Sequence, residues 1–430
     1  MPSVALQNLG CSKNVIDGEN ILGFFKSAGF QLTEDLEEAE IIVVNTCAFI
    51  REAQEEAIET ILESASYKKE GRCRTLVVTG CFSQRYRDEV SVQFPEVNLW
   101  AGVDDWEEVL KTHFQAESSL TFVRELSEPL STQYLKIAEG CSHRCSFCAI
   151  PSIRGPFKSR PVQSIIDEAL WLYSKGTREL ILVAQDTSFY GRDSGSNLAL
   201  LLEDILNKTK FPWIRMMYLH PKFVDESLLK LISSESRICS YFDIPLQHIS
   251  DPILKSMRRS PLSADIYRLI DRIRALVPGS ALRSSFILGY PGETEKDYKC
   301  LRDFIEFARF DKLGVFPYSP EHGTDAFELK KRPRTSTAQK RCEELMLLQR
   351  EISREIMEVK IGTEIEVIID SVSEEPDYNF EGRSRSDAPE IDGKVFISSG
   401  SFETGSIIKA KVFGADDYDL FAEPSKYTDH

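Results

Sequence analysis

The sequence has no apolar run approaching the roughly 20 residues that a helix needs to cross a bilayer. Its first ten residues, MPSVALQNLG, contain no basic residue and no long apolar stretch, so a secretory signal peptide is not expected. Glycine and proline are not enriched, at 23 and 19 of 430 residues, which excludes a collagen-like or wholly disordered chain. We therefore expect a cytoplasmic protein of two or three globular domains, without a membrane partner.

Positive charge is scarce at the C-terminal end of the chain. The formal net charge is −16, and residues 361–430 contain 16 Asp and Glu against 6 Lys and Arg. An acidic segment is repelled by a phosphate backbone and attracted to basic proteins. The charge distribution therefore favours a basic protein over a nucleic acid as the partner of this end.

Ten cysteines are present, and a disulfide framework is not expected in a protein that stays in the reducing cytosol. Metal binding or catalysis is the better interpretation for cysteines that cluster. Three of them, Cys11, Cys47 and Cys81, each follow a short apolar run. The runs are Val4–Leu9, Ile41–Val44 and Leu76–Thr79, and the helix-like segments between them are Asp17–Ala28 and Arg51–Tyr67.

This alternation predicts a small doubly wound parallel sheet. Ligands of such sheets bind beyond the carboxyl ends of the strands, where all three cysteines would meet. Three thiolates there could hold three irons of an iron–sulfur cluster and leave the fourth open. The alternative is that they are buried small residues, since free cysteine is often buried, but three strand ends in a row make this less convincing.

A second cluster has the spacing Cys-x3-Cys-x2-Cys, in the loop of Cys141, Cys145 and Cys148. Three thiolates in one small loop can ligate three irons of a four-iron cluster, and the fourth iron can then chelate S-adenosylmethionine (SAM). An electron delivered through that iron makes a 5′-deoxyadenosyl radical. The alternative is zinc with His143 as a fourth ligand, but structural zinc usually takes two paired ligand sets and no second pair is nearby.

The middle of the chain repeats a strand-then-helix pattern six times, which predicts a partial version of the (β/α)8 barrel. In such barrels the chemistry lies on the loops that follow the strands, and the cysteine loop follows the first strand. The strand segments are Tyr134–Ile137, Leu180–Ala184, Trp213–Leu219, Tyr241–Leu246, Leu282–Leu288 and Lys312–Phe316.

Five short strand candidates at the C-terminal end predict a small antiparallel barrel of OB-like architecture. Barrels of this kind often bind nucleic acid through a basic groove with stacking aromatics, but here the charge has the wrong sign. We therefore assign most of the aromatics to the core. The strand candidates are Thr363–Asp370, Tyr378–Ser386, Gly393–Ser398, Ser406–Phe413 and Tyr418–Glu423.

Together, the two cysteine clusters and the terminal small barrel resemble the radical SAM methylthiotransferases over essentially the full chain. The resemblance implies an N-terminal domain (residues 1–125) whose auxiliary [4Fe–4S] cluster is held by Cys11, Cys47 and Cys81. It implies a radical SAM domain (residues 130–358) whose [4Fe–4S] cluster is held by Cys141, Cys145 and Cys148. A TRAM domain follows (residues 361–430). The implied cofactors are two [4Fe–4S] clusters and SAM.

Several short segments resemble the branch of this family that methylthiolates the β-carbon of an aspartate in ribosomal protein S12. Ser12 departs from that pattern, which usually has Pro there. The alternative branch acts on a tRNA adenosine, and the acidic C-terminal end argues against it. A further alternative is a non-catalytic iron–sulfur or zinc module. The segments are Leu9–Asn14, Cys141–Cys145, Ile150–Ser152, Val183–Thr187 and Asp387–Gly393.

The resemblance also implies a mechanism. The Cys141 cluster would generate the radical that abstracts hydrogen from the aspartate, because that C–H bond is too weakly acidic for a side-chain base. The N-terminal cluster would present a sulfur species, methylated by a second SAM, to the carbon radical. An external electron donor is required. Phe147, Gln185 and Arg283 are candidate SAM contacts, and no general base is assigned.

Overall fold

The computed structural model describes residues 2–116 and 124–425. Its strands are β1 (Ser3–Asn8), β2 (Gln31–Leu32), β3 (Ile41–Thr46), β4 (Thr75–Gly80), β5 (Leu99–Trp100), β6 (Thr132–Lys136), β7 (Ala138–Glu139), β8 (Lys158–Ser159), β9 (Glu179–Val183), β10 (Trp213–Met216), β11 (Tyr241–Asp243), β12 (Ala281–Leu288), β13 (Lys312–Pro317), β14 (Glu364–Val372), β15 (Phe380–Ser384), β16 (Val395–Ile397), β17 (Ile407–Ala415) and β18 (Leu420–Pro424). Its helices are α1 (Ser12–Ser27), α2 (Arg51–Glu70), α3 (Cys81–Val90), α4 (Trp106–Phe114), α5 (Ile150–Arg154), α6 (Val162–Ser174), α7 (Leu198–Lys208), α8 (Glu226–Ser234), α9 (Asp251–Ser256), α10 (Ser263–Leu276), α11 (Glu295–Ala308) and α12 (Thr335–Val359).

The chain divides into two compact units, each made of several segments. The first unit comprises Met1–Glu128, Ala138–Arg160 and Ser319–Phe327. The second comprises Pro129–Ile137, Pro161–Tyr318 and Glu328–His430. The Cys141–Cys148 loop therefore belongs to the same compact unit as the N-terminal cysteines.

The first unit is built on a parallel sheet with the strand order β2-β1-β3-β4-β5. The predicted strands are β1, β3 and β4, and the predicted helices are α1 and α2, so the doubly wound prediction is confirmed. All six residues of β3 are buried, as expected for a central parallel strand covered on both faces. The edge strands β2 and β5 were not predicted, because two residues are too few to show a pattern.

The segment Ala138–Arg160 packs into this unit through apolar contacts. Ala149 and Ile153 belong to the same buried cluster as Ala48, Cys81 and Phe82. The short antiparallel pair β7–β8 closes the base of the cysteine loop. Burial of these side chains therefore fixes the loop to the N-terminal sheet through the hydrophobic effect.

The second unit contains the predicted partial barrel. Parallel pairing gives the order β6-β9-β10 and, separately, β11-β12-β13. A parallel bridge between Ile214 and Ile238 links the two groups of strands. Within residues 124–425 this makes an open barrel of six parallel strands, which confirms the (β/α)6 prediction.

The second unit also contains the predicted C-terminal barrel, which is closed in the order β14-β15-β16-β18-β17. Its strands match the five predicted segments. Neighbouring strands run antiparallel except β16 and β18, which pair in parallel. The parallel pair arises because β17 lies between β18 and β14 and runs antiparallel to both. As a result, β18 runs in the same direction as β14 and β16.

This small barrel contacts the N-terminal ends of the large barrel's strands. Glu179, the first residue of β9, pairs with Arg383 of β15 at 2.8 Å. Lys312, the first residue of β13, pairs with Asp387 at 2.8 Å. The C-terminal barrel therefore lies at the end of the strands opposite to the loops on which such barrels do their chemistry. In the described part of the chain, no helix combines the length and apolarity needed to cross a membrane.

Candidate functional site

The three N-terminal cysteines lie at one edge of the first unit's sheet. Cys11 immediately precedes α1, Cys47 follows the last residue of β3, and Cys81 begins α3 directly after β4. The strand ends are level, because Asn45 of β3 pairs with Asn8 on one side and Thr79 on the other. The structure thus brings the three predicted cysteines to one sheet edge, where negative charge on Cys81 or Cys11 would raise the pKa of Cys47.

Two glycines permit this close approach. Gly10 has a φ of +96°, and a Cβ on it would lie 2.9 Å from Cys47 Cβ. Gly80 has a φ of +89°, and a Cβ there would lie 2.5 Å from the carbonyl oxygen of Thr46. Any other residue would be strained at these φ values and would push the turns apart. The cysteine turns therefore depend on glycine immediately before Cys11 and Cys81.

The electrostatic surroundings of the three thiols differ. Burial alone would raise the pKa of Cys11, but Lys13 and Arg154 outweigh it and hold the pKa below its usual value. Burial raises the pKa of Cys47 to about 11. It also raises the pKa of Cys81, against the opposing effect of Arg154. Three thiols beside two cations fit an anionic iron–sulfur cluster, since thiolates are the ligands that such clusters take.

The second set of cysteines lies in an irregular loop between β7 and α5, and all three thiols are partly exposed. Backbone hydrogen bonds hold the loop: Cys141 N donates to Gly155 O at 3.0 Å, and Cys148 N donates to Cys145 O at 3.2 Å. Partly exposed thiols on a fixed backbone fit a cluster that must also admit SAM. Phe147, a candidate SAM contact, is half-buried in the same loop.

The second unit has polar loops at the C-terminal ends of its strands. Asp186, after β9, accepts from Ser188 Oγ at 2.6 Å, and Ser188 Oγ accepts from His220 N at 2.8 Å. Glu293, after β12, accepts from Gly289 N at 2.8 Å and pairs with the buried Arg341. The bond between His220 and Ser188 thus ties the loop after β10 to the loop after β9, and the pair with Arg341 ties the loop after β12 to α12.

Two non-glycine residues in the loops at these strand ends have left-handed backbone conformations. Tyr218, after β10, has a φ of +60°, and Gln247, after β11, has a φ of +73°. Strained conformations of this kind cluster at functional sites. His248 follows Gln247, and its Nδ1 accepts from Ile249 N at 2.9 Å and Ser250 N at 3.0 Å. Its bonding indicates a buried loop residue rather than a metal ligand through Nδ1.

Two predicted SAM contacts, Gln185 and Arg283, belong to the second unit, and they lie toward opposite ends of its barrel strands. Gln185 follows the C-terminal end of β9, where the prediction requires it. Arg283 is instead the third residue of β12 and pairs with Asp243 at 3.3 Å and Asp392 at 3.4 Å. Arg283 therefore lies toward the N-terminal end of its strand and contacts the C-terminal barrel, and its assignment to SAM binding stays a prediction.

Arg154 is a site residue that the sequence did not reveal. It ends α5, is only 4% exposed, and contacts Asn14, Asp17 and Glu139 in the first unit. In the sequence, Arg154 lies six residues after Cys148, and this position by itself does not indicate a function. The contact with Asn14 spans 140 residues of chain and could not be read from local patterns.

Comparison with known protein families gives three matches. Uncharacterized protein family UPF0004 matches residues 3–102, and the Radical SAM superfamily matches residues 135–305. The TRAM domain matches residues 361–424. The three matches follow the order of the domains implied by the resemblance.

Among curated relatives are proteins named ribosomal protein uS12 methylthiotransferase RimO. The one from Syntrophus aciditrophicus is 44% identical over 443 residues, covering 98% of each chain. Those from Geobacter sulfurreducens and Aquifex aeolicus are both 42% identical, covering 98% and 99% of this chain and 98% of the relatives.

Solved structures share the fold at low identity. The radical SAM methyltransferase TsrM from Kitasatospora setae is 14% identical, with a TM-score of 0.54 over 76% of this chain and 74% of TsrM. The cobalamin-dependent SAM radical enzyme OxsB is also 14% identical, with a TM-score of 0.52 over 80% of this chain and 56% of OxsB.

These findings define the chain as a radical SAM protein with an N-terminal UPF0004 domain and a C-terminal TRAM domain. It belongs to the RimO family of methylthiotransferases. The predicted enzyme class is thus confirmed, and the chain uses an iron–sulfur cluster and SAM.

Proposed function

We propose that this chain methylthiolates the β-carbon of an aspartate in ribosomal protein uS12, with two [4Fe–4S] clusters and SAM as cofactors. The observation that carries the proposal is the pairing of two cysteine triads within one compact unit. A radical SAM enzyme needs one cluster to cleave SAM. A sulfur-inserting enzyme needs a second cluster in addition, and the second triad, at the sheet edge, supplies ligands for it.

Each triad has a separate role in this proposal. Cys141, Cys145 and Cys148 hold the cluster that, when loaded and reduced by an external electron donor, supplies the radical chemistry. The N-terminal triad holds the auxiliary cluster at the sheet edge. Phe147 offers an apolar face beside Cys148, and Gln185 offers an amide at the C-terminal end of β9; we assign both to SAM binding.

We assign three domains to the chain, at residues 1–125, 130–358 and 361–430, of which residues 1, 117–123 and 426–430 lie outside the described residues. Ribosomal proteins are made in the cytoplasm, and we place the reaction there.

The surface of the C-terminal barrel supports a basic protein substrate over tRNA. In the described part of this domain, nine Asp and Glu residues are exposed against three Lys and no exposed Arg. Two of those lysines, Lys394 and Lys409, already pair with Glu381 and Glu364. A surface of this charge attracts a basic protein and repels a phosphate backbone.

The proposal is tested by reconstituting the full chain anaerobically with iron and sulfide. The product is then incubated with SAM, a reductant and purified uS12. We expect two four-iron clusters per chain and a methylthio mass gain on one aspartate of uS12. Unmodified tRNA serves as the competing substrate in a parallel reaction. Methylthiolation of tRNA alone, or a single zinc per chain in place of iron, would contradict the proposal.

A further inference from the structure

Arg154 lies at the junction of the two cysteine-bearing segments of the first unit. It belongs to the segment that carries the Cys141–Cys148 loop, yet its Nη2 lies 2.6 Å from Asn14 Oδ1 and 3.0 Å from an oxygen of Asp17, both on α1. Its Nη1 lies 3.2 Å from each carboxylate oxygen of Glu139, two residues before Cys141. One buried guanidinium therefore joins the start of the radical SAM loop to the helix that follows Cys11.

Asn14 extends this contact to two of the cysteine turns. It is fully buried, and its Nδ2 donates to Leu9 O at 2.8 Å and to Thr46 O at 3.0 Å. Leu9 lies two residues before Cys11, and Thr46 lies immediately before Cys47. Because Arg154 holds the side-chain oxygen of Asn14, it also fixes the direction in which the amide nitrogen points.

The positive charge of Arg154 also acts on the third cysteine, because it opposes the rise that burial causes in the pKa of the Cys81 thiol. Arginine suits this position because its planar fork carries five N–H donors, which can serve an amide oxygen and two carboxylates at once. Lysine carries the same charge but cannot reproduce that geometry.

We propose that Arg154 is a positioning residue for the N-terminal metal site, holding the turns of Cys11 and Cys47 in register through Asn14 and placing a buried positive charge at this site. The segment that carries the radical SAM loop thereby completes the auxiliary site. This inference rests on the proposed assignment of Cys11, Cys47 and Cys81 as cluster ligands.

The physical consequence is a change in redox behaviour. Adding one electron to a cluster adds one negative charge, and a nearby positive charge favours this addition and raises the reduction potential. Removing the guanidinium should therefore make reduction harder. We expect the equilibrium constant for reduction of the cluster to fall at least tenfold. For a one-electron step, this is a shift of the midpoint potential by about 59 mV to a more negative value.

The test uses the full chain with Cys141, Cys145 and Cys148 replaced by Ala, so that only the N-terminal cluster is loaded. Into this parent we place R154Q, R154K and, as a matched control, R124Q. Arg124 is also buried in the first unit and pairs with Glu19 of α1. Iron content, the EPR-monitored midpoint potential and the melting temperature are measured for each.

We expect R154Q either to shift the midpoint potential by about 59 mV to a more negative value or to lose its iron. R154K should keep its iron with a smaller shift, and R124Q should lower the melting temperature without moving the potential. Full iron and an unchanged potential in R154Q would overturn the inference, as would the same shift in R124Q. A parent without iron would instead overturn the ligand assignment itself, and the inference with it.

Discussion

Glu179 and Arg383 form a buried ion pair of 2.8 Å, although 204 residues of chain separate them. The second carboxylate oxygen of Glu179 lies 2.7 Å from Nε of Arg215, which is also fully buried. Glu179 thus pairs with two guanidinium groups where the C-terminal barrel meets the large barrel, and Arg383 also pairs with Asp370 at 2.8 Å. The C-terminal barrel is therefore an integral part of the second unit.

Glu179→Gln should destabilise the protein, because it leaves Arg215 and Arg383 buried with less compensating charge. Removing one partner of a buried pair costs about 3–5 kcal/mol. The measurement is the free energy of unfolding in urea. Glu366→Gln is the control, since Glu366 forms a more exposed pair with Arg385 at 3.3 Å and should cost less than about 1 kcal/mol. Equal losses in the two variants would contradict the account.

The same carboxylate should make stability depend on acid pH. Burial tends to raise the pKa of Glu179, but Arg383 and Arg215 outweigh it and hold the pKa below its usual value. Its stabilising contribution is then present above the unfolded-state pKa of about 4.3 and is lost as the pH falls through the lower folded-state value. We expect the stability difference between wild type and Glu179→Gln to shrink below about pH 4. If the difference in stability instead grew as the pH fell, the pKa of Glu179 would be raised rather than lowered in the folded protein.

The two cysteine triads should be separable by substitution. Replacing Cys11, Cys47 and Cys81 with Ala should leave one four-iron cluster, preserve reductive cleavage of SAM to 5′-deoxyadenosine, and abolish methylthio transfer. Replacing the other triad should abolish all SAM cleavage. The measurements are iron, sulfide and 5′-deoxyadenosine per chain. Cys300→Ala is the control because Cys300 is exposed on α11. Loss of SAM cleavage in the N-terminal variant would contradict the division of roles.

Gly80→Ala should displace the Cys81 turn. A Cβ there would meet the Thr46 carbonyl oxygen at 2.5 Å, and that oxygen is backbone with little room to move. Gly29→Ala is a matched control, since Gly29 has a similar φ of +86° but nothing within 4 Å of the added Cβ. We expect Gly29→Ala to cost only the left-handed penalty of about 1–2 kcal/mol and to keep both clusters. Gly80→Ala should lose the N-terminal cluster, and equal iron in the two variants would argue against a tight turn.

Local patterns in the sequence were sufficient to predict most of the architecture. The strand-end cysteines could be recognised because parallel strands are short apolar runs. The second triad could be recognised because its spacing, from Cys141 to Cys148, lies within one loop. The C-terminal strands were visible for a similar reason, since turn residues separate them. Each of these signals extends over only a few residues.

The remaining features depend on contacts between distant residues. Arg154 and Asn14 meet only after the chain has folded, as do Glu179 and Arg383, and nothing near either residue in sequence announces the partner. The surroundings of Arg283 depend on distant contacts in the same way. Its two carboxylate partners, Asp243 and Asp392, identify its place in the joint with the C-terminal barrel.

Methylthiolation of ribosomal protein uS12 is best tested by mass spectrometry of ribosomal proteins and tRNA nucleosides from cells with and without this gene. We expect a methylthio mass gain on uS12 to disappear when the gene is deleted, while methylthiolated tRNA adenosine is unchanged. The mass gain should return with the wild-type gene but not with the variant lacking Cys11, Cys47 and Cys81. An unchanged uS12 together with loss of a methylthiolated adenosine from tRNA would show that uS12 is not the substrate.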